Sequence, residues 1–321
     1  MITAGLRRAI LAAAGRQDAD PLLTPGPAPG SYTSSLPFRL ASHDPRAAAV
    51  LAERLTAEPW IAAARVTGPG FVTVTVTHAT LARLAIRIAH AGPACAESDA
   101  LRGRTVPVPA APPAGAADWP QARAALAGQL TARLAAAAGA TVIFATERSG
   151  FPAPALPSRG PVAEAVAYAG PDAVRFALAR MPPGGAPPEA AAIARHVLAN
   201  PAYAVRYAHA AAAAVLRWAA ALGTRPAGFT PRLLAEPGEL ALLDALSWLP
   251  ERVAAAARRG RPDEFAGYLA ELAARTIDTM STTSFAKIPD IGSERLWLAD
   301  AARTGLAAGL GLLGLAAPGR L

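Results

Sequence analysis

The sequence predicts a mainly α-helical protein with a small N-terminal α/β domain. Three observations carry that expectation. Hydrophobic residues make up 53% of the 321, yet aromatics are only 6%, so the core must be built from Ala, Leu and Val. Ala is the strongest helix former, which favours closely packed helices. Val72, Val74 and Val76 alternate with Thr73, Thr75 and Thr77, a period-two strand with one buried face. After Ala163 the pattern is helical, apart from proline-marked breaks near 182–188, 225–237 and 286–292.

In chain order, residues 3–15 predict a short amphipathic helix and 20–30, DPLLTPGPAPG, a Pro/Gly loop. His43-Asp44-Pro45 opens a helix running to about Glu58, with Asp44 as its cap and Pro45 in its first turn. The Val/Thr strand follows, then a helix from Ala79 to about Ala91. Residues 92–118 read as a linker, 119–138 as a helix, ATVIFAT as a buried strand and 150–161 as a loop. The boundaries expected are 1–95, 96–165 and 166–321. The uncharged run from Thr304 to Pro318 is too short to span a membrane and carries Gly305, Gly309, Gly311 and Gly314, so it predicts a buried helix.

Of the 31 basic residues only Lys287 is a lysine, the codon bias of a GC-rich genome. The net charge of +8 and a pI near 10.6 favour an anionic partner, nucleic acid before membrane. The charge is spread out, with no block that marks a disordered basic tail. Cys95 is the sole cysteine, which excludes an internal disulfide and a Cys-based metal site. Arg7 and Arg8 interrupt the first apolar stretch, so a signal peptide is not expected and the location expected is cytoplasmic.

Three stretches together resemble arginyl-tRNA synthetases. Residues 30–76, from Gly30-Ser31-Tyr32 to Gly68-Pro69-Gly70-Phe71 and its strand, resemble that family's N-terminal domain. GPDAVRFALAR at 170–180 and NPAYAVRYAHAAAAAVLRWA at 200–219 resemble the start of its helical anticodon-binding domain, whose Asp-Ala-Leu-Arg motif reads here Asp172-Ala173-Val174-Arg175. ERLWLADAARTGLAAGLGLLGLAAPGRL at 294–321 resembles the last helices of that domain. The resemblance implies a C-terminal helical bundle of the class I synthetase anticodon-binding type and tRNA as the partner, with an enzyme that uses aminoacyl-tRNA as a second one.

The family also activates arginine with ATP, using a His-x-Gly-His motif and a Lys-rich mobile loop. Here no two of His43, His78, His90, His196 and His209 form such a motif, and Lys287 lies in the wrong domain. ALPSRG at 155–160 resembles a worn remnant of the loop. Phosphoryl transition states need several preorganised cations, so no catalytic residue, cofactor or metal is expected. The readings left open are a tRNA-binding module, an arginine–tRNA ligase or subunit, and a helical scaffold without RNA binding.

RNA affinity comes from phosphate charge, and specificity from stacking on unpaired bases. Arg206 and Arg217, eleven residues apart, share a helix face, with His209 one turn from Arg206 and Tyr203 and Tyr207 beside it. The plainer alternative is a solvated Arg face with interhelical Tyr and His bonds. Compared with the family pattern, Ala204, Arg206, Ala211, Thr279 and Met280 are departures, which puts arginine-anticodon specificity in question. Phe71 and Thr73 lie on the strand resembling the family's D-loop contact, with Thr73 where asparagine is usual. Phe71 either stacks on a base or belongs to the core. Arg175, oriented by Asp172, is expected to be structural, and Asp263-Glu264 a solvated helix start.

Overall fold

The computed structural model describes residues 1–16, 19–37, 45–68, 70–108, 118–144, 156–282, 285 and 292–321. The N-terminal part runs α1 (Ile2–Ala13), β1 (Leu23–Pro25), β2 (Ser31–Ser34), α2 (Pro45–Thr56), β3 (Ile61–Thr67), β4 (Phe71–Val76), α3 (His78–Ala82) and α4 (Leu84–Ala91). Its sheet is antiparallel, in the order β1-β2-β4-β3. The Val/Thr alternation has its expected effect: Val72, Val74 and Val76 are buried, while Phe71, Thr73 and Thr75 are half-buried on the other face. The Pro/Gly stretch at 20–30 is not loop alone, because β1 pairs with β2 there. Arg83 separates α3 from α4, where one helix was expected. His43 and Asp44 lie outside the described residues.

The middle of the chain differs from expectation in two places. A 3-10 turn (Gly92–Ala96) and β5 (Thr105–Val108) occupy part of the expected linker. After α5 (Trp119–Ala137), capped by Asp118 accepting from the Gln121 N–H at 2.8 Å, β6 (Thr141–Phe144) pairs parallel with β5. The strand β6 is not buried: Thr141 is exposed and Ile143 is 56% exposed. A two-stranded sheet packed on the one helix α5 covers one side of β6 and leaves the other open. Among the described residues, 92–165 hold no larger sheet.

The C-terminal part is helical: α6 (Gly160–Ala169), α7 (Pro171–Arg180), α8 (Ala190–Ile193), α9 (Pro201–Ala221), α10 (Pro237–Ser247), α11 (Leu249–Arg259), α12 (Pro262–Met280) and α13 (Ser293–Leu312). The last of these, α13, supplies the buried helix expected from 304–318 as far as Leu312, beyond which the chain turns; it packs on α9, α4 and the 92–96 turn. A Cβ added at Gly305 would stand 2.8 Å from Leu246 Cδ2, so glycine there permits close helix approach. No helix among the described residues is long and apolar enough to cross a membrane. Arg175 is structural, donating to the Gly314 carbonyl at 2.7 Å just past the end of α13, where the helix dipole favours a cation. Asp263 corrects the expectation of a solvated helix start: it is 8% exposed and pairs with Arg261 at 2.6 Å and Arg123 at 3.7 Å.

The N-terminal sheet docks on the α10–α11 junction. Tyr32 donates to Ser247 Oγ at 2.7 Å and its ring lies 5.2 Å from that of Trp248. The Gly30 N–H reaches Asp244 at 2.9 Å. Beside them Arg7 bridges Asp20 at 2.7 Å and Glu251 at 2.8 Å, and Arg258 meets Asp20 at 3.1 Å. The Asp20 carboxyl lies below its usual range. Burial pushes it up, but the Leu22 N–H, Arg7 and Arg258 together outweigh burial.

Candidate nucleic-acid interface

The site begins with Asn200. Its Oδ1 accepts from the Ala202 N–H at 3.1 Å and caps α9, while its Nδ2 donates to the Ile193 and Arg195 carbonyls at 2.9 and 2.7 Å. Asn200 thereby ties the turn after α8 to the first turn of α9, and Pro201 fits that first turn because its missing N–H is not needed there. The tie places His196 on Tyr203, with ring centroids 5.3 Å apart and planes 13° from parallel. Tyr203 stacks in turn on Tyr207 at 5.8 Å and 28°. Trp218, three turns further along the helix, is 59% exposed.

These rings stand along a groove of about 670 Å³ on the outer face of α9. Ala210, Ala211 and Ala214 line it from the same helix, and Ile277, Met280 and Ser281 from the end of α12. Arg206, Arg217 and Arg320 border it, and no carboxylate side chain is among the described residues that line it. Arg206 is half-buried rather than exposed, and its Nε is buried with no hydrogen-bond partner among the described residues. Arg217, also half-buried, donates to the Gly319 carbonyl. Unpaired guanidinium beside stacked rings is suited to phosphates and unpaired bases, since rings accept any base face and guanidinium holds a phosphate.

Of the residues expected from the sequence, the fold brings Tyr203, Arg206, Tyr207 and Arg217 together here. It does not bring His209. That side chain is 4% exposed and its Nδ1 donates to the Pro318 carbonyl at 2.9 Å. Helix geometry explains the difference: at about 100° per residue Arg217 stands about 20° from Arg206, whereas His209 stands about 60° round on the core side. Burial holds the His209 imidazole below its usual pKa and Arg303 adds to this, against the opposing pull of the Pro318 carbonyl. Ala204 is buried and outside the groove, and Thr279 is buried with its hydroxyl on the Arg275 carbonyl at 2.8 Å. Among the departures from the family pattern, Arg206, Ala211 and Met280 therefore line the groove, while Ala204 and Thr279 do not.

Phe71 and Thr73 lie on the sheet, away from α9. Phe71 is half-buried and has contacts of its own. Thr73 Oγ1 hydrogen-bonds to the hydroxyls of Thr33 at 2.9 Å and Thr67 at 3.0 Å, making a row across β2, β4 and β3.

Sequence reasoning missed His196, Trp218 and Arg320. Trp218 follows Tyr207 by eleven residues and could have been found by extending the same helical stripe. His196 and Arg320 come from outside the helix, and nothing local marks them. Among the described residues no group of three or more His, Cys, Asp or Glu could hold a metal ion.

The family model of the DALR anticodon binding domain matches residues 205–321. Among curated proteins, the arginine–tRNA ligase of Clavibacter sepedonicus is 42% identical over 127 residues, 38% of this chain and 23% of that protein. That of Kineococcus radiotolerans is 44% identical over 128 residues, again 38% and 23%. That of Renibacterium salmoninarum is 40% identical over 162 residues, 48% and 29%. The chain thus spans about a quarter of the length of the curated relatives it matches. Among solved structures, Thermus thermophilus arginyl-tRNA synthetase superposes with a TM-score of 0.71 at 14% identity, covering 100% of each chain, a likeness of fold. Residues 205–321, which supply most of the groove, match the DALR anticodon binding domain, and the chain is similar to part of the arginine–tRNA ligases.

Proposed function

We propose that this chain binds tRNA through the α9 groove, with anticodon-loop bases on the aromatic row and the backbone on Arg206, Arg217 and Arg320. The observation that carries this is the groove's composition: stacked His196, Tyr203 and Tyr207, exposed Trp218, and arginines with no lining carboxylate side chain among the described residues. Residues 1–95 offer RNA a second face at Phe71, residues 166–321 hold the groove, and 96–165 join them. His209 serves by fixing the segment that carries Arg320 against α9.

In this reading the chain binds tRNA in the cytoplasm without charging it, and presents or sequesters it for an enzyme that uses aminoacyl-tRNA. Two sequence features support the non-catalytic part. The 321 residues contain no His-x-Gly-His motif, and Lys287 is the single lysine.

The test pairs two measurements. Fluorescence anisotropy with tRNA should show saturable binding, tighter than to random RNA of equal length and weakening steeply with salt. ATP–pyrophosphate exchange with arginine, with and without tRNA, should show no turnover. Exchange above background would make the chain an arginine–tRNA ligase or a subunit of one. Binding no tighter than to random RNA would leave a helical protein–protein scaffold, with Trp218 and Leu222, both more than half exposed, as its contact residues.

A further inference from the structure

A second basic cleft lies between α1 and the α3–α4 pair. It has a volume of about 620 Å³ and is bordered by Arg8, Trp60, Thr80, Arg83 and Arg87. All three arginines are exposed, and none has an ion-pair partner among the described residues. Arg83 and Arg87 are one turn apart, linked by the Arg87 N–H on the Arg83 carbonyl at 3.2 Å, so their side chains project together. Arg8 faces them from α1. Met1 lines the same cleft. Its α-amino group is held below its usual range by burial first and then by the charges of Arg87 and Arg8. Glu58, the carboxylate of this cleft, accepts from the Trp60 indole N–H at 3.0 Å. An adjoining cavity shares Met1, Arg8 and Arg87 and adds Glu97 and Asp99.

This cleft is separate from both surfaces already described. Trp60 and Thr77 flank the end of the β3–β4 hairpin where Ile61 pairs with Val76, whereas Phe71 pairs with Thr67 at the opposite end. Six residues of strand at about 3.3 Å each put the two ends roughly 20 Å apart. The groove belongs to α9, which does not border the cleft.

We propose that the cleft between α1 and α3–α4 is a second phosphate-binding site that takes the backbone of the bound RNA at a point remote from the anticodon loop. The partner's identity rests on the tRNA-binding reading. Three converging guanidiniums without carboxylate partners are the donor set that a phosphodiester backbone neutralises, and each pair so formed releases counterions. Among the described residues that line it there is no base-reading amide and one aromatic ring, Trp60, so the site adds affinity mainly irrespective of sequence.

The test compares intact tRNA with an isolated anticodon stem-loop on two variants of the full chain, Arg8→Gln/Arg83→Gln/Arg87→Gln and Arg206→Ala/Arg217→Ala. The cleft variant should lower the slope of log affinity against log salt for intact tRNA by about 2, three contacts at roughly 0.7 to 0.9 each. It should leave stem-loop binding unchanged, while the groove variant weakens both RNAs. Far-UV circular dichroism confirms that the cleft variant is folded, as expected for three exposed side chains. An unchanged tRNA slope in the cleft variant, with the groove variant impaired, would overturn the cleft proposal alone. Failure of the wild-type chain to bind either RNA would overturn both. A third arm uses inorganic phosphate: saturable binding that is lost in the cleft variant, with tRNA binding unaffected, would assign the cleft to a free phosphorylated ligand and overturn the RNA proposal.

Discussion

Two arginine clusters in this molecule have opposite surroundings. At the seam between the sheet and α11, Arg7 is 8% exposed and meets Asp20 and Glu251 below 3 Å, with Arg258 closing the set. In the α9 groove, Arg206 has a buried Nε and no partner among the described residues, and Arg217 meets only a carbonyl. Both clusters come from one unusual feature of composition, arginine in place of lysine, so composition cannot tell them apart. Where the carboxylates lie decides the role. A guanidinium balanced by acids within the fold holds the two parts together, and one with no acid side chain beside it, next to stacked rings, is the kind we propose meets an anion from outside.

The largest expected effect breaks the first cluster. Arg7→Ala leaves Glu251, 7% exposed, with a weaker share of positive charge, and removing one partner of a buried pair costs about 3–5 kcal/mol. Urea unfolding monitored by Trp fluorescence should show that loss. Arg206→Ala breaks no ion pair among the described residues and should cost about 1 kcal/mol or less, well below Arg7→Ala. Equal stability losses in the two variants would erase the distinction between the clusters.

The next effect sharpens the second cluster. Tyr207→Ala and Trp218→Ala should each weaken tRNA binding by about 1–3 kcal/mol, the worth of a stacked base, with the salt slope unchanged. Arg206→Ala/Arg217→Ala should instead flatten the slope by about one to two contacts. Phe71→Ala belongs with the ring variants: affinity falls at constant slope, whereas unfolding would place Phe71 in the core. A Tyr207 variant that altered the slope but not the low-salt affinity would show that the ring organises charge rather than stacking.

Acid tests the seam against the buried His209, which lies outside both clusters. The folded His209 imidazole lies below its ordinary value of 6.5, so as pH falls through 6.5 the unfolded chain takes the proton first and stability declines. The folded Asp20 carboxyl lies below its ordinary 3.8, so the stability it contributes is present above 3.8 and lost as pH falls through the lower folded value. Thermal melts across pH 7 to 3 should therefore show two declines. His209→Gln should remove the upper one, and Asp20→Asn should shrink the lower one while lowering the neutral-pH melting temperature.

The sequence made one kind of information legible and hid another. Periodic information survives: the Val/Thr strand, the length of α9, and the shared face of Arg206 and Arg217 follow from repeat distances along one element. His209 shows the resolution of that method, since a residue within one turn of Arg206 still rotates into the core. The seam was hidden because Arg7 and Glu251 are 244 positions apart and each alone looks like a surface charge. Asp263 was misread in part for the same reason: its nearer partner Arg261 is local, but its second, Arg123, lies on α5. The strand β5 was hidden by Pro107, which marks a loop or an edge and here sits in a two-stranded sheet. His196 reaches the groove on a turn held by the side chain of Asn200, a tie that no spacing rule encodes.

The smallest expected effect concerns Thr73, where sheet and RNA compete for one hydroxyl. Its Oγ1 is already bonded to Thr33 and Thr67, so the side chain supports the sheet face that presents Phe71 and makes little direct RNA contact. Thr73→Val keeps the β-branched shape that a strand favours and removes both bonds. A net hydrogen bond is worth about 0.5–1.5 kcal/mol. Thr67 is exposed and Thr33 half-buried, so both hydroxyls can turn to water, which puts the loss near the lower end for the pair. The unfolding free energy should therefore drop by about 1 kcal/mol or less, with tRNA affinity and salt slope unchanged. A tRNA affinity loss with stability intact would reverse the assignment: the hydroxyl row across β2, β4 and β3 would then be an RNA contact in its own right, and the sheet face would join the groove as a surface that RNA reads.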